Sequence, residues 1–290
     1  MTLPVSLSIS PQELKKLRNV ILAQNLKRAS VKSEYELLRI EDGTVSIIVY
    51  KSGKLVHNNN PESKRVVESI LEKESNYDYL LGTDEVGKGE WFGPLVVVCA
   101  ALTPEELTRL RNIGVKDSKL LKKSELEKLA TSIIGSKTLY REVILMPEVY
   151  NARYSEFKRE GKSLNDMMAW AHATAIRNVL TLIYSKRIKI VIDKFDAKKM
   201  DLRLNRAGVL EPSFDVIQSP SGDTEIPVSV ASIIAKHIYE QRVDDLNKLA
   251  GVDLRKSEPS DIPPEILLTV AKSHFKNVGR FLVDAPADRL

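Results

Sequence analysis

Apolar positions along the chain fall into short runs with clear punctuation. Leu14, Leu17 and Ile21 recur at helical spacing behind Ser10-Pro11-Gln12-Glu13, a capping box with proline at the first helical position. That pattern predicts a helix to about Arg28. Three strand-like runs follow, Glu34–Ile40, Thr44–Tyr50 and Lys54–His57, separated by the turn signals Asp42-Gly43 and Ser52-Gly53. Asn60-Pro61 opens a second helix with Val66, Val67, Ile70 and Leu71 on its buried side. Beyond the polar stretch Lys73–Asp78 the pattern changes. Tyr79–Thr83 and Leu95–Leu102 read as strands joined by a glycine-rich turn. Thr103-Pro104-Glu105-Glu106 and Ser124-Glu125-Leu126-Glu127 are capping boxes, each opening a helix. Lys137–Leu145 reads as a strand, Ser163 as the cap of a long helix, and Arg187–Asp193 as a β-branched strand ending in a carboxylate. Val228 to about Leu249 and Pro264–His274 read as helices.

These elements predict two domains. Residues 1–76 form a small α+β unit. Residues 77–290 form an α/β domain, a mixed sheet flanked by helices. No repeat or low-complexity segment interrupts them.

Composition narrows the class. The 290 residues are 43% hydrophobic and 29% charged, the balance of a folded globular chain rather than a disordered one. A single cysteine, Cys99, excludes a disulfide framework and a cysteine-rich zinc site, and fits a reducing compartment. The longest apolar run, Pro94–Leu102, is too short to span a bilayer, and the N-terminus lacks the pattern of a signal peptide. A cytoplasmic protein away from membranes is expected. Net charge is +5, of which residues 1–76, with 12 basic and 9 acidic side chains, carry +3. That balance favours an anionic partner such as nucleic acid.

The glycine turn contains a decoy. Gly82-Thr83-Asp84-Glu85-Val86-Gly87-Lys88 fits the spacing of a phosphate-binding P-loop. The next residue is Gly89, so the hydroxyl that should ligate magnesium is missing. Asp84 and Glu85 would repel phosphate, and a strand follows where a P-loop needs a helix N-terminus. The adjacent carboxylates have two other readings: a solvated pair beginning a hairpin, or part of a site at a strand end. Neighbouring strand residues point to opposite faces, so both serve one site only if the backbone turns there. Gly87 and Gly89 would supply the turn. Two further features favour a site. Ile188–Asp193 is a second apolar strand ending in a carboxylate, and Asp223 and Glu225 precede the helix beginning at Val228. Acids from strand ends and a helix entrance can form an all-oxygen nest for Mg²⁺ or Mn²⁺. Two such ions about 4 Å apart would serve phosphodiester chemistry.

The run from Gly82 to Pro94, Gly-Thr-Asp-Glu-Val-Gly-Lys-Gly-Glu-Trp-Phe-Gly-Pro, resembles the D-E-x-G-x-G…G-P signature of the type 2 ribonucleases H. Asp117-Ser118-Lys119-Leu120 is similar to the family's D-S-K-x-L segment. Ile192-Asp193 and Val230–Lys236 complete the set in family order. Glu90-Trp91-Phe92, Tyr50–Lys54 and His274–Asn277 look closer to ribonuclease HIII than to ribonuclease HII. Lys88 stands where HII usually has arginine, which argues against a strong preference for single embedded ribonucleotides.

The resemblance implies a ribonuclease H-like sheet and an N-terminal domain resembling half of TATA-binding protein. It implies cleavage of the RNA strand of RNA/DNA hybrids, leaving 3′-hydroxyl and 5′-phosphate ends, with Mg²⁺ or Mn²⁺ as cofactor and no obligate protein partner. Matched by motif, the catalytic, metal-binding carboxylates are Asp84, Glu85, Asp193 and Asp223, which stands four residues before Pro227. Glu225 rivals Asp223, while Asp196 and Asp117 read as helix-start or loop carboxylates. Gly87, Lys88 and Gly89 would approach the substrate's 2′-hydroxyls with their backbone. Ser118 and Lys119 either touch phosphates or form a local turn; Lys236 is a phosphate contact or a solvated helix charge. Tyr50, Lys51 and Lys54 either grip the duplex or form a solvated hairpin. His172, between apolar neighbours, reads as a packed histidine rather than a base. Two other accounts stay open: an HII-like enzyme for single ribonucleotides, and a hybrid-binding protein without catalysis.

Overall fold

The computed structural model describes residues 4–9, 11–71, 77–112, 115, 123–193, 196–210, 214–219 and 225–284. The chain divides into two compact units, residues 1–76 with 104–119, and residues 77–103 with 120–290.

In the first unit, β1 (Val5–Ser8), β2 (Arg28–Ala29), β3 (Glu36–Asp42), β4 (Val45–Tyr50) and β5 (Lys54–His57) form an antiparallel sheet in the order β1-β5-β4-β3-β2. Gly43 and Gly53, both at positive φ, make the two hairpin turns as expected. The helices α1 (Pro11–Ala23) and α2 (Pro61–Ile70) complete the core, with Leu17, Ile21, Val66 and Ile70 buried against Ile40, Ile47 and Leu55. Asn60 caps α2 by accepting from the Glu62 amide at 3.0 Å. The first helix ends at Ala23 rather than near Arg28, because Asn25 turns left-handed (φ 52°) and leads the chain into β2. A third helix, α3 (Pro104–Asn112), belongs to this unit, where Arg111 bonds the carboxylate of Glu13 at 3.1 Å.

The second unit is built on β6 (Tyr79–Val86), β7 (Leu95–Leu102), β8 (Leu139–Leu145), β9 (Ile188–Asp193) and β10 (Phe214–Ser219), in the order β10-β9-β6-β7-β8. The pairs β6–β7 and β7–β8 are antiparallel, while β6–β9 and β9–β10 are parallel. This is the mixed sheet the sequence predicts. Its helices are α4 (Lys123–Gly135), α5 (Pro147–Arg159), α6 (Leu164–Leu180), α7 (Ala197–Arg206), α8 (Ile226–Ala250), α9 (Pro264–Val270) and α10 (Lys276–Asp284). Every residue of β7 is buried, which explains its unbroken apolar run: helices cover both of its faces. Leu81, Ile188, Ile190 and Ile192 pack into the core on the α6 side. On the other face α8 lies unusually close. A Cβ on Gly82 would fall 2.2 Å from the backbone of Pro227 and Val228, so only glycine admits this approach.

Among the described residues, no helix is long and apolar enough to cross a membrane.

Candidate active site

The strand β6 does not end before its carboxylates. It stays paired with β7 through Asp84↔Val98, Glu85↔Val97 and Val86↔Val96. The turn expected at Asp84 and Glu85 comes later, at Gly87, and side-chain alternation persists through both acids. Leu81 and Thr83 face α6, and so does Glu85. Gly82 faces α8, and so does Asp84, whose carboxylate accepts a hydrogen bond from Ser232 of α8.

The strand β9 brings up the second acid of this face. In the parallel register Thr83 pairs with Ile192, so Asp84 and Asp193 are the next positions on adjoining strands. Ile192 packs toward α6, so strand alternation puts Asp193 on the α8 face, one strand over from Asp84. Burial pushes the Asp84 carboxyl up to about 6; Glu85's charge adds to this, and the Ser232 hydrogen bond only partly offsets it. Burial is the largest cause, and a desolvated carboxylate of this kind is stabilised by a cation at its side. The donors are all carboxylate oxygens, a set suited to a hard divalent ion such as Mg²⁺ or Mn²⁺.

Glu85 has a different environment. Its Oε2 lies 3.1 Å from His172 Nε2, and its Oε1 lies 3.3 Å from Lys88 Nζ. An ionised carboxylate only accepts, so Nε2 carries the proton, leaving Nδ1 to face the Thr83 hydroxyl at 2.9 Å. Burial raises the Glu85 carboxyl, but His172 and Lys88 more than reverse that and hold it at about 2. His172 is a buried histidine, as its apolar neighbours predict, and it also fixes a site carboxylate, a role the sequence reading missed. Among the described residues, no three acid, cysteine or histidine side chains close around one point. By strand register, Asp84 and Asp193 are the two acids that share the α8 face of adjoining strands.

Asp223, Ser118, Lys119 and Asp117 lie outside the described residues. Glu225 is the N-cap residue of α8, which begins against Gly82 of β6. Asp196 caps α7, accepting from the Lys199 amide at 3.3 Å. Lys236 is exposed on α8, one turn beyond Ser232. Gly87 sits at φ 91°, where a Cβ would strike the Pro94 carbonyl at 2.1 Å. At Gly89 a Cβ would meet open space, so the turn's tip is accessible. In the other unit Tyr50, Lys51 and Lys54 line a shallow groove with Tyr35, Ser52 and Val56.

Comparison with known proteins identifies the family. The sequence pattern of the family "Ribonuclease HII" matches residues 81–277. Ribonuclease HIII of Chlamydia pneumoniae is 32% identical over 263 residues, covering 83% of this chain and 86% of that protein. Ribonuclease HIII of Listeria monocytogenes serovar 1/2a is 30% identical, covering 82% and 85%. The fold resembles the crystal structure of Bst-RNase HIII in complex with Mn²⁺, with a TM-score of 0.64, 21% identity, and 97% and 98% coverage. The ribonuclease H2 of Pyrococcus horikoshii OT3 gives a TM-score of 0.53 at 24% identity, covering 70% of this chain and 96% of that one. The chain therefore belongs to the type 2 ribonuclease H family, is most like ribonuclease HIII, and is a ribonuclease H, an endonuclease of RNA/DNA hybrids.

Proposed function

We propose that the RNA strand is cut at the carboxylate cluster on the α8 side of the central sheet, at the ends of β6 and β9. Asp84 and Asp193 form its core; Asp223 and Glu85, whose charge acts on Asp84 although its side chain leaves the strand on the α6 face, complete the set that holds Mg²⁺ or Mn²⁺. When bound there, such an ion would supply an activated water and stabilise the leaving oxygen, the chemistry expected to leave 5′-phosphate and 3′-hydroxyl ends. The protein's own part is placement. Ser232 orients Asp84, while His172 and Lys88 keep Glu85 ionised. The backbone of Gly87, Lys88 and Gly89 reads 2′-hydroxyls in the shallow minor groove of the hybrid, which distinguishes an RNA strand from DNA. Ser118, Lys119 and Lys236 contact phosphates near the cut. Tyr50, Lys51 and Lys54 of the N-terminal unit add affinity along the duplex backbone. The substrate partner is the hybrid duplex alone, and the enzyme acts in the cytoplasm, where a buried unpaired Cys99 is at home.

The observation that carries this reading is the pairing of two carboxylates, one position beyond Thr83↔Ile192, on the face where Asp84 is pushed up to about 6. The test uses an end-labelled RNA/DNA hybrid and a DNA duplex with one embedded ribonucleotide, each in Mg²⁺, in Mn²⁺ and with chelator. Metal-dependent cuts along the RNA strand of the hybrid are expected. Cleavage of the single-ribonucleotide substrate alone would replace this reading with an HII-like one. Hybrid binding without cleavage in either metal would leave a binding protein.

A further inference from the structure

Lys272 is fully buried, with 0% exposure. Its Nζ donates to the main-chain carbonyls of Glu90, at 2.9 Å, and Phe92, at 2.7 Å. It also lies 5.7 Å from the ring centre of Tyr150. Among the described residues the ammonium is met by these groups and by no carboxylate. Burial pulls Lys272 down to about 7, against the opposing pull of the Glu90 charge. Burying an ammonium without a carboxylate is costly, and an apolar side chain of similar shape usually serves stability as well or better. The value of this lysine must therefore lie in the geometry it imposes.

That geometry concerns one loop. Glu90–Gly93 is the return limb of the turn that begins at Gly87. Along it, the Lys272 amide donates to the Trp91 carbonyl at 2.7 Å and the Gly93 amide to the Val270 carbonyl at 2.9 Å. Phe92 and Ala271 form an antiparallel bridge. The partner segment is itself held from α5. Asn151 Nδ2 donates to the Ala271 carbonyl at 2.9 Å, and its Oδ1 accepts from the amide and hydroxyl of Ser273 at 2.9 and 3.1 Å. A rigid helix thus holds a short strand-like segment, whose lysine adds a side-chain grip to the backbone bonds on the return limb of the glycine turn.

We propose that Lys272 is a positioning residue for hybrid binding: by gripping the carbonyls of Glu90 and Phe92 it fixes how the Gly87–Gly89 backbone meets the RNA strand. This rests on the reading of that turn as a substrate contact. Lys272 touches neither the substrate nor the carboxylate cluster, so its loss acts on binding before chemistry.

The test uses full-length Lys272→Met, which keeps the stem and removes the donor, and Lys272→Gln, which keeps an amide donor in the same pocket. Steady-state cleavage of the hybrid is measured with amide hydrogen exchange across residues 87–93. In Lys272→Met, KM should rise about tenfold while kcat stays within about twofold. Exchange should accelerate in residues 87–93 and stay unchanged in β7 and α6. Lys272→Gln should recover part of both effects, and it carries the test alone if the Met variant does not fold. A role in general stability would instead lower the folded fraction and accelerate exchange throughout the unit, with KM unmoved. Unchanged exchange in the turn overturns the anchor whatever the kinetics. Faster exchange with unchanged KM overturns the link to hybrid binding and, with it, the assignment of the turn to substrate.

Discussion

Replacing Gly82 with alanine tests how closely β6 and α8 must approach. The added Cβ would lie 2.2 Å from both the Pro227 carbonyl carbon and the Val228 amide nitrogen, and 2.6 Å from the Pro227 oxygen. Non-bonded carbons settle at about 3.5 Å or more, so the start of α8 or the strand must retreat by about 1.3 Å. No side chain can absorb this, because all three atoms are backbone. Overpacking of this kind costs about 1–3 kcal/mol of stability. The larger consequence is local. Gly82 and Asp84 share a face of β6, and Ser232, which bonds Asp84, lies less than two turns into the displaced helix. A misplacement of about 1 Å in a catalytic arrangement can cost about 10²-fold in rate. Gly82→Ala should therefore melt several degrees lower and cleave hybrid about 10²-fold more slowly per folded molecule. Thermal unfolding gives the folded fraction, and single-turnover cleavage gives the rate. Wild-type melting and wild-type turnover together would refute the close approach. Reduced melting with normal turnover would detach it from the chemistry.

Lys51→Ala combined with Lys54→Ala should weaken hybrid binding and make log affinity against log salt shallower by about 1–2, with kcat unchanged; an unchanged slope would contradict a role for that groove. These point variants are preferable to deleting residues 1–76, which would strip α3 of the Glu13 partner of Arg111. Asp223→Asn should lower metal-dependent cleavage by orders of magnitude and Glu225→Gln much less; the reverse result moves the fourth ligand to Glu225. Lys272 is held at about 7 against an ordinary 10.5, so between those values the unfolded chain binds a proton that the folded protein does not. Stability from this group therefore rises with pH over that range, and the melting temperature of the wild type relative to Lys272→Met should climb from pH 7 to pH 10.5. A constant gap would contradict the burial argument.

The elements that local signals specify were legible in the sequence. β7 announced itself as an unbroken apolar run because both faces are covered, and Ser163 with Asp166 forms the capping box that opens α6. The helix α5 was missed because it starts at Pro147 without a side-chain cap. β10 was missed because Asp215 and Gln218 interrupt its apolar pattern; at the sheet edge they bond Tyr77 and Asp201. The acids at 84 and 85 were visible as chemistry, but their division between two faces was not. It depends on β7 holding the strand straight through Val86, a long-range pairing. His172 has only apolar neighbours in sequence, and the groups it bonds, Thr83 and Glu85, lie 89 and 87 residues away. Lys272 and its two carbonyls are separated by 182 and 180 residues. Such contacts leave no periodicity to read.

The central claim is that Asp84 and Asp193, neighbours on the α8 face, form the core at which the RNA strand is cut. Cleavage of a labelled hybrid by Asp84→Asn and by Asp193→Asn, measured at saturating metal beside hybrid binding, tests it most directly. Each variant should keep the fold and near-wild-type hybrid affinity while losing roughly 10²–10³-fold or more in turnover, because each removes one charge from the nest. Near-wild-type turnover in either variant would contradict the account.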